Sequence, residues 1–210
     1  MRKARLITVE GIEGVGKSTH LGFIHDWLKA QGVKVLITRE PGGTPLAERI
    51  RELLLDASNE QLPAMSELLL MFAARASHVE YVIRPALAAG TWVLCDRFTD
   101  ASYAYQGGGR KLPMQHIATL ERWVLRGLKP DLTLLLDAPV QVGIRRMRGR
   151  GQRDRFELER KVFFERVRRA YRARTRCEPL RIGLIRADGD MQDVRRQIIK
   201  VLQARLARWL

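Results

Sequence analysis

Gly11-Ile12-Glu13-Gly14-Val15-Gly16-Lys17-Ser18 has the spacing G-x-x-x-x-G-K-[ST] of a phosphate-binding loop. Leu6-Ile7-Thr8-Val9 before it reads as a buried strand, and Leu21, Phe23, Ile24, Trp27 and Leu28 after it recur at helical spacing. The loop therefore lies between the carboxyl end of a strand and the first turn of a helix. Backbone N–H groups converge there, and the helix dipole favours negative charge. In such a loop Lys17 reaches the β- and γ-phosphates of a nucleotide and the Ser18 hydroxyl ligates Mg²⁺, while Thr19 extends the cradle toward the α-phosphate. The implied chemistry is binding of a nucleoside triphosphate, with the phosphoryl acceptor still to be found.

The elements that position this loop follow in order. Gly32 stops the first helix and residues 33–38 form a second strand, followed by the turn formers of Arg39-Glu40-Pro41-Gly42-Gly43-Thr44. Leu46, Ile50, Leu53 and Leu54 mark a helix, and a longer one spans about residues 65–88, with Pro85 predicting a kink or an earlier end. Residues 91–95 form a third strand ending in Asp96-Arg97, then a loop runs through Gly107-Gly108-Gly109 to a helix at about 113–126. Residues 131–137 and 182–187 are the fourth and fifth strands, and an amphipathic helix closes the chain at about 191–209. This alternation predicts an α/β phosphate-loop NTPase fold, a five-stranded parallel sheet with helices on both faces, in one domain covering residues 1–210. Ligands bind such sheets at the carboxyl ends of the strands, where Glu10, Arg39, Asp96 and the segment Asp188-Gly189-Asp190 all fall.

Composition narrows the class. At 46% hydrophobic and 29% charged residues the chain reads as a soluble globular protein, and no apolar run reaches a membrane span. The two cysteines, Cys95 and Cys177, have neither a disulfide-framework nor a metal-ligand spacing, which suits a reducing cytoplasm. The net charge of +15 fits either nucleic acid or polyphosphate substrates. Much of it lies between Arg145 and Arg176 with Glu157, Glu159 and Glu165 interleaved, the pattern of a solvated helix face. His20, His25, His78 and His116 form no cluster and read as surface or helix-face residues.

Several markers together resemble the thymidylate kinase family over nearly the whole chain: Glu10-Gly11, Thr38-Arg39-Glu40-Pro41-Gly42-Gly43, Phe72-Ala73-Ala74-Arg75, Asp96-Arg97, Ala104-Tyr105-Gln106-Gly107 and Asp154-Arg155-Phe156-Glu157. The resemblance implies phosphorylation of dTMP by ATP with Mg²⁺, in a homodimer, with no role for nucleic acid or membrane. It implies that Phe72 stacks on the thymine and Arg75 hydrogen-bonds it; from spacing alone, Phe72 reads as core. By the same resemblance Tyr105 crowds a ribose 2′-hydroxyl, Gln106 and Ser102 lie near base and sugar, and Glu10 lies near the sugar 3′-hydroxyl and the metal waters. Arg39 and Arg97 match the pair that grips the acceptor phosphate, with Arg51 adding to it, and a guanidinium fork suits that task. Asp96 is placed either to hold Mg²⁺ through water or to pair with a neighbouring arginine. Phe98 and Ala101 depart from the family's usual residues.

Some members of the family carry a transition-state arginine inside the loop, at the position where this chain has Gly14; others bring it from a lid. The segment about 146–155 offers Arg146, Arg148 and Arg150, with Gly149 and Gly151 letting it bend, Arg150 being the expected catalytic residue and the other two supporting it. Glu13 is then placed to orient the lid. Three rivals remain. A deoxynucleoside kinase of similar fold would need Glu10 or Asp96 as a general base. A nucleic-acid-dependent ATPase fits the charge. A GTP switch needs Asn-Lys-x-Asp, but Asn59 is followed by Glu60.

Overall fold

A computed structural model of the chain describes residues 3–57, 62–147 and 154–209. Among them, five strands form one parallel sheet: β1 (Leu6–Glu10), β2 (Val35–Arg39), β3 (Trp92–Asp96), β4 (Leu132–Asp137) and β5 (Ile182–Arg186), in the order β2-β3-β1-β4-β5. The central strands are apolar because both faces are covered: β1, and all but the last residue of β3 and β4, are buried. Edge strand β2 is half exposed, with Ile37 open to solvent. The chain leaves β1 toward β2 and leaves β4 toward β5, so neighbouring connections part at the carboxyl end of β1, where a crevice opens. Register pairs both Val9 and Arg39 with Asp96. Glu10, Arg39, Asp96 and Asp137 are each the last residue of a strand, all at this crevice rim.

Helix α1 (Lys17–Ala30) starts directly from the glycine loop and packs His20, Leu21, Ile24 and Leu28 inward. Gly16 precedes it at φ +95°, a left-handed conformation that disfavours side chains. Helix α2 (Pro45–Leu55) begins with Pro45 in its first turn and Thr44 as cap, whose hydroxyl accepts the Ala47 N–H at 3.2 Å. Helix α3 (Ala64–His78) does not end at the expected break. It passes through a π-helical stretch, Val79–Ile83, into α4 (Arg84–Ala88). Arg84 N–H donates to the Val79 carbonyl five residues back, and this wider winding lets Pro85, which has no N–H to donate, follow without ending the helix.

A second difference lies after β3. The segment expected as a glycine loop is helical: α5 (Thr99–Ser102) runs into a π-helix, Tyr103–Gly109. Its glycines serve close packing rather than a turn. A Cβ at Gly108 would lie 2.5 Å from the Ala170 side chain, and one at Gly109 would lie 2.5 Å from the Phe163 ring. Both partners sit on α8 (Lys161–Cys177), the helix of the basic run. That helix is two-sided: Phe163, Phe164, Val167 and Tyr171 are buried, while Arg169, Arg172 and Arg176 are exposed. Helices α6 (Met114–Leu125), α7 (Val140–Met147) and α9 (Met191–Trp209) complete the covering layers. His20 and His78, expected at the surface or on a helix face, are buried on the inward faces of α1 and α3.

Candidate active site

The crevice is walled on one side by the glycine loop and on the other by helices α2, α3 and the segment following β3. Lys17, the first residue of α1, points its ammonium group back across the loop, donating to the carbonyls of Gly11 at 3.1 Å and Ile12 at 2.9 Å. Burial, reinforced by Arg97, brings its pKa down to about 8, with Asp96, Glu13 and Glu10 pulling the other way. Ser18 and Thr19 are exposed at the helix start, whereas Ile12 and Val15 anchor the loop in the core. The loop backbone is tightly held. A Cβ at Gly11 would lie 2.4 Å from the Leu136 carbonyl oxygen, and one at Gly14 would lie 2.3 Å from that of Gly143 on α7. Gly14 has φ +73°, so no side chain, arginine included, fits at this point of the loop.

Asp96 lines the crevice together with Lys17 and Ser18. Its Oδ1 is buried and accepts no hydrogen bond from the protein. The alternative expectation is pairing with a neighbouring arginine, and the adjacent Arg97 does not make that pair. Arg97 directs its fork elsewhere: NH1 donates to the Gly11 carbonyl at 2.9 Å and to the Tyr171 hydroxyl at 3.2 Å, and NH2 donates to Glu13 Oε1 at 2.8 Å. Its guanidinium also covers the Tyr105 ring, 4.8 Å from the centroid. Glu13 takes a second donor, the Tyr105 hydroxyl, at 2.7 and 2.6 Å to its two oxygens. The loop acid expected to orient the lid thus ties the loop to Arg97 and Tyr105.

The far wall carries Arg51, Arg75, Ser102, Tyr105 and Gln106, with Met71, Leu55 and Phe156 as apolar surface. Arg51 donates to the Pro41 carbonyl at 2.9 Å, and burial together with the neighbouring Arg39 lowers its pKa. Arg75 is buried, with its NH1 on Ser102 Oγ and its NH2 on the Phe98 carbonyl, both at 3.0 Å. Gln106 donates to Glu67 at 2.9 Å. Glu67 is fully buried and also ion-pairs with Arg110 and Arg155.

Four expected site residues are not on this wall. Arg39 ends β2 pointing outward, its side chain half exposed and paired with Glu48 at 2.8 Å, so it does not join Arg97. Phe72 is 2% exposed in a cluster with Leu68, Tyr103 and Ile117, with the Arg75 guanidinium stacked 4.6 Å from its ring centroid. Glu10 lies one layer behind, accepting the Phe98 N–H and the Tyr171 hydroxyl, each at 2.7 Å. Arg146, on α7, donates to the Ala187 carbonyl beyond β5 at 3.0 Å. Arg148 and Arg150, with most of the expected lid, lie outside the described residues.

Sequence reasoning missed Tyr171, Glu67, Glu40 and His78. Tyr171 is in step with Phe164 and Val167 and so reads as core, while His78 lies one turn beyond Arg75 on the same helix face, the one signal that was available.

A nucleotide cradle facing an arginine-bearing wall across one crevice of a parallel sheet describes a P-loop kinase, an enzyme that moves a phosphoryl group between two bound molecules. The profile of the thymidylate kinase family matches residues 9–198. Curated thymidylate kinases of Chromohalobacter salexigens and Pseudomonas syringae pv. tomato are 58% and 57% identical to the chain, covering 100% and 93% of each sequence respectively. The crystal structure of thymidylate kinase from Ehrlichia chaffeensis superposes with a TM-score of 0.77 at 33% identity, over 95% of this chain and 98% of that one. The chain belongs to the thymidylate kinase family. Enzymes of this family transfer the terminal phosphoryl group of ATP to dTMP on the way to dTTP, and the chain is a phosphotransferase of that kind.

Proposed function

We propose that ATP lies along the Gly11 to Thr19 loop, dTMP lies against the Arg51–Arg75–Gln106 wall, and transfer occurs between them, in line. The bond from the γ-phosphorus to the β,γ-bridging oxygen breaks as a bond to a dTMP phosphate oxygen forms. The acceptor is already an anion, so no general base is required. The supporting observation is the crevice itself, which Lys17, Ser18, Asp96, Arg51, Arg75 and Arg97 all line.

Lys17 steadies charge on the β- and γ-phosphates. Arg97, tethered to both Gly11 and Glu13, is held where donor and acceptor phosphates meet. Arg51 adds to the acceptor grip, and Arg75, Ser102 and Gln106 hold the thymidine, with Tyr105 against the deoxyribose. Phe72 backs Arg75 as well as bordering the base, Glu10 acts from behind through Phe98, and Arg39 acts from the rim, where Glu48 holds it. Arg146, Arg148 and Arg150 remain assigned to the donor phosphates, with Arg150 at the transferring group.

The residues fit Mg²⁺. It is held in phosphotransferases by one or two carboxylates, waters and the substrate's phosphates. Asp96 offers a buried oxygen without a protein donor, and Ser18, exposed at the start of α1, lines the same crevice. Bound there, the ion neutralises charge on the β- and γ-phosphates. Among the described residues no helix is long and apolar enough to cross a membrane, consistent with a cytoplasmic enzyme.

An ADP-release assay across nucleoside monophosphates tests the proposal. dTMP should outrun dUMP, dCMP and dAMP, and thymidine should give no turnover. Preference for thymidine would instead make the chain a nucleoside kinase, and ADP formation driven by DNA alone would point to a nucleic-acid-dependent ATPase.

A further inference from the structure

A buried chain of side chains behind Arg75 is used by none of the roles above. Arg75 Nε donates to Glu40 Oε2 at 2.6 Å, and the other Glu40 oxygen lies 3.0 Å from His78 Nδ1. His78 Nε2 in turn lies 2.6 Å from the Thr38 hydroxyl. With Nδ1 donating to the carboxylate, Nε2 is the acceptor and Thr38 the donor, so a single tautomer satisfies every contact. His78 is 0% exposed, Arg75 2% and Glu40 4%. A buried carboxylate persists at such a place only when paired and hydrogen-bonded, and here Arg75 and His78 supply both. The packing is equally tight: a Cβ at Gly43 would lie 2.5 Å from His78 Cδ2. Arg75 also donates to Ser102 and Phe98, so its plane is held at three nitrogens while its remaining N–H groups stay available at the crevice wall.

We propose that Thr38, Glu40 and His78 are positioning residues that aim Arg75 at the acceptor base and so set its discrimination between a carbonyl and an amino group. The inference rests on the assignment of Arg75 to the thymine. A guanidinium only donates hydrogen bonds. Held in one plane, it suits the carbonyl that thymine presents where cytosine presents an amino group. Released from Glu40, the fork can turn away from that amino group, and the penalty against cytosine falls.

Calorimetric titration of the full-length protein with dTMP and dCMP, together with KM for ATP, tests this. His78→Phe should lower the dCMP-to-dTMP Kd ratio by about tenfold, roughly 1.4 kcal/mol of discrimination, leaving KM for ATP within about twofold. Thr38→Val should move the ratio less, in the same direction. His78→Asn, whose amide can donate to Glu40, should recover most of it. Arg75→Lys tests the underlying assignment: if it leaves the ratio unchanged, Arg75 does not read the base. If it collapses the ratio while His78→Phe and Thr38→Val do not, the positioning role is overturned and the assignment stands. A parallel weakening of dTMP, dCMP and ATP in His78→Phe would also overturn it, as a merely structural effect. Should His78→Phe fail to fold, an unchanged ratio in Thr38→Val is decisive against the proposal.

Discussion

At the carboxyl end of β1, Glu10 is enclosed by Phe98, Tyr171 and Arg97 rather than facing a ligand. Burial, reinforced by Asp100, raises its pKa from 4.5 to about 8, with Arg97, Tyr171 and the Phe98 N–H opposing. The folded protein therefore binds this proton more tightly than the unfolded chain does. The resulting stability is complete below pH 4.5 and is lost as pH rises toward about 8. In Glu10→Gln that dependence disappears. Urea titrations should show the wild type losing stability relative to the variant between about pH 5 and pH 8. A constant difference would mean that Glu10 is ionised throughout. Residue identity announced a strand-end acid here, but only its neighbours decide whether it meets water, metal or a tyrosine.

At the scale of elements, the π-helical segment Tyr103–Gly109 against α8 carries Tyr105 and Gln106 of the proposed acceptor wall. Gly107-Gly108-Gly109 resembles a turn in sequence because glycine is a turn former, yet each glycine here makes room for a neighbour: Met114, Ala170 and Phe163 respectively. Gly108→Ala would push a methyl into Ala170 and should cost about 1–3 kcal/mol of unfolding free energy. Gly22 in α1 has nothing within 4 Å of its would-be Cβ. Gly22→Ala should be neutral or stabilise by up to about 1 kcal/mol, through helix propensity and a less flexible unfolded chain. Equal costs in chemical denaturation would show that packing on α8 is not what these glycines serve. The strands fared better than the loops: apolar runs that become β1, β3 and β4 are buried on both faces and have no other reading. At Gly14 the loop's missing arginine also has a structural cause, since the Gly143 backbone occupies the space a side chain would need.

For the whole molecule, α3 leaves Met65, Leu69, Ala73 and Ala76 exposed at helical spacing, and neighbouring α6 leaves Met114 and Trp123 exposed. We propose that this apolar face is the interface of a homodimer. Replacing Leu69 and Trp123 with aspartate should shift the protein from dimer to monomer in sedimentation velocity at micromolar concentration. A wild type that sediments as a monomer would remove the proposal.

The sequence by itself determined what depends on neighbours along the chain: the phosphate loop between strand and helix, the apolar runs of the sheet, and the markers that identify the family. Hydrophobic period and backbone geometry act over a few residues and leave a local trace. Tertiary structure alone decided the pairings, because their partners are far apart in sequence: Glu40 with Arg75 across 35 positions, Glu13 with Tyr105 across 92, Glu10 with Tyr171 across 161. Strand order brings those groups together, and burial then makes each unpaired charge too costly to leave without its partner. That is why Arg39, at the rim and exposed, turned to Glu48, while Arg97 was drawn under the loop.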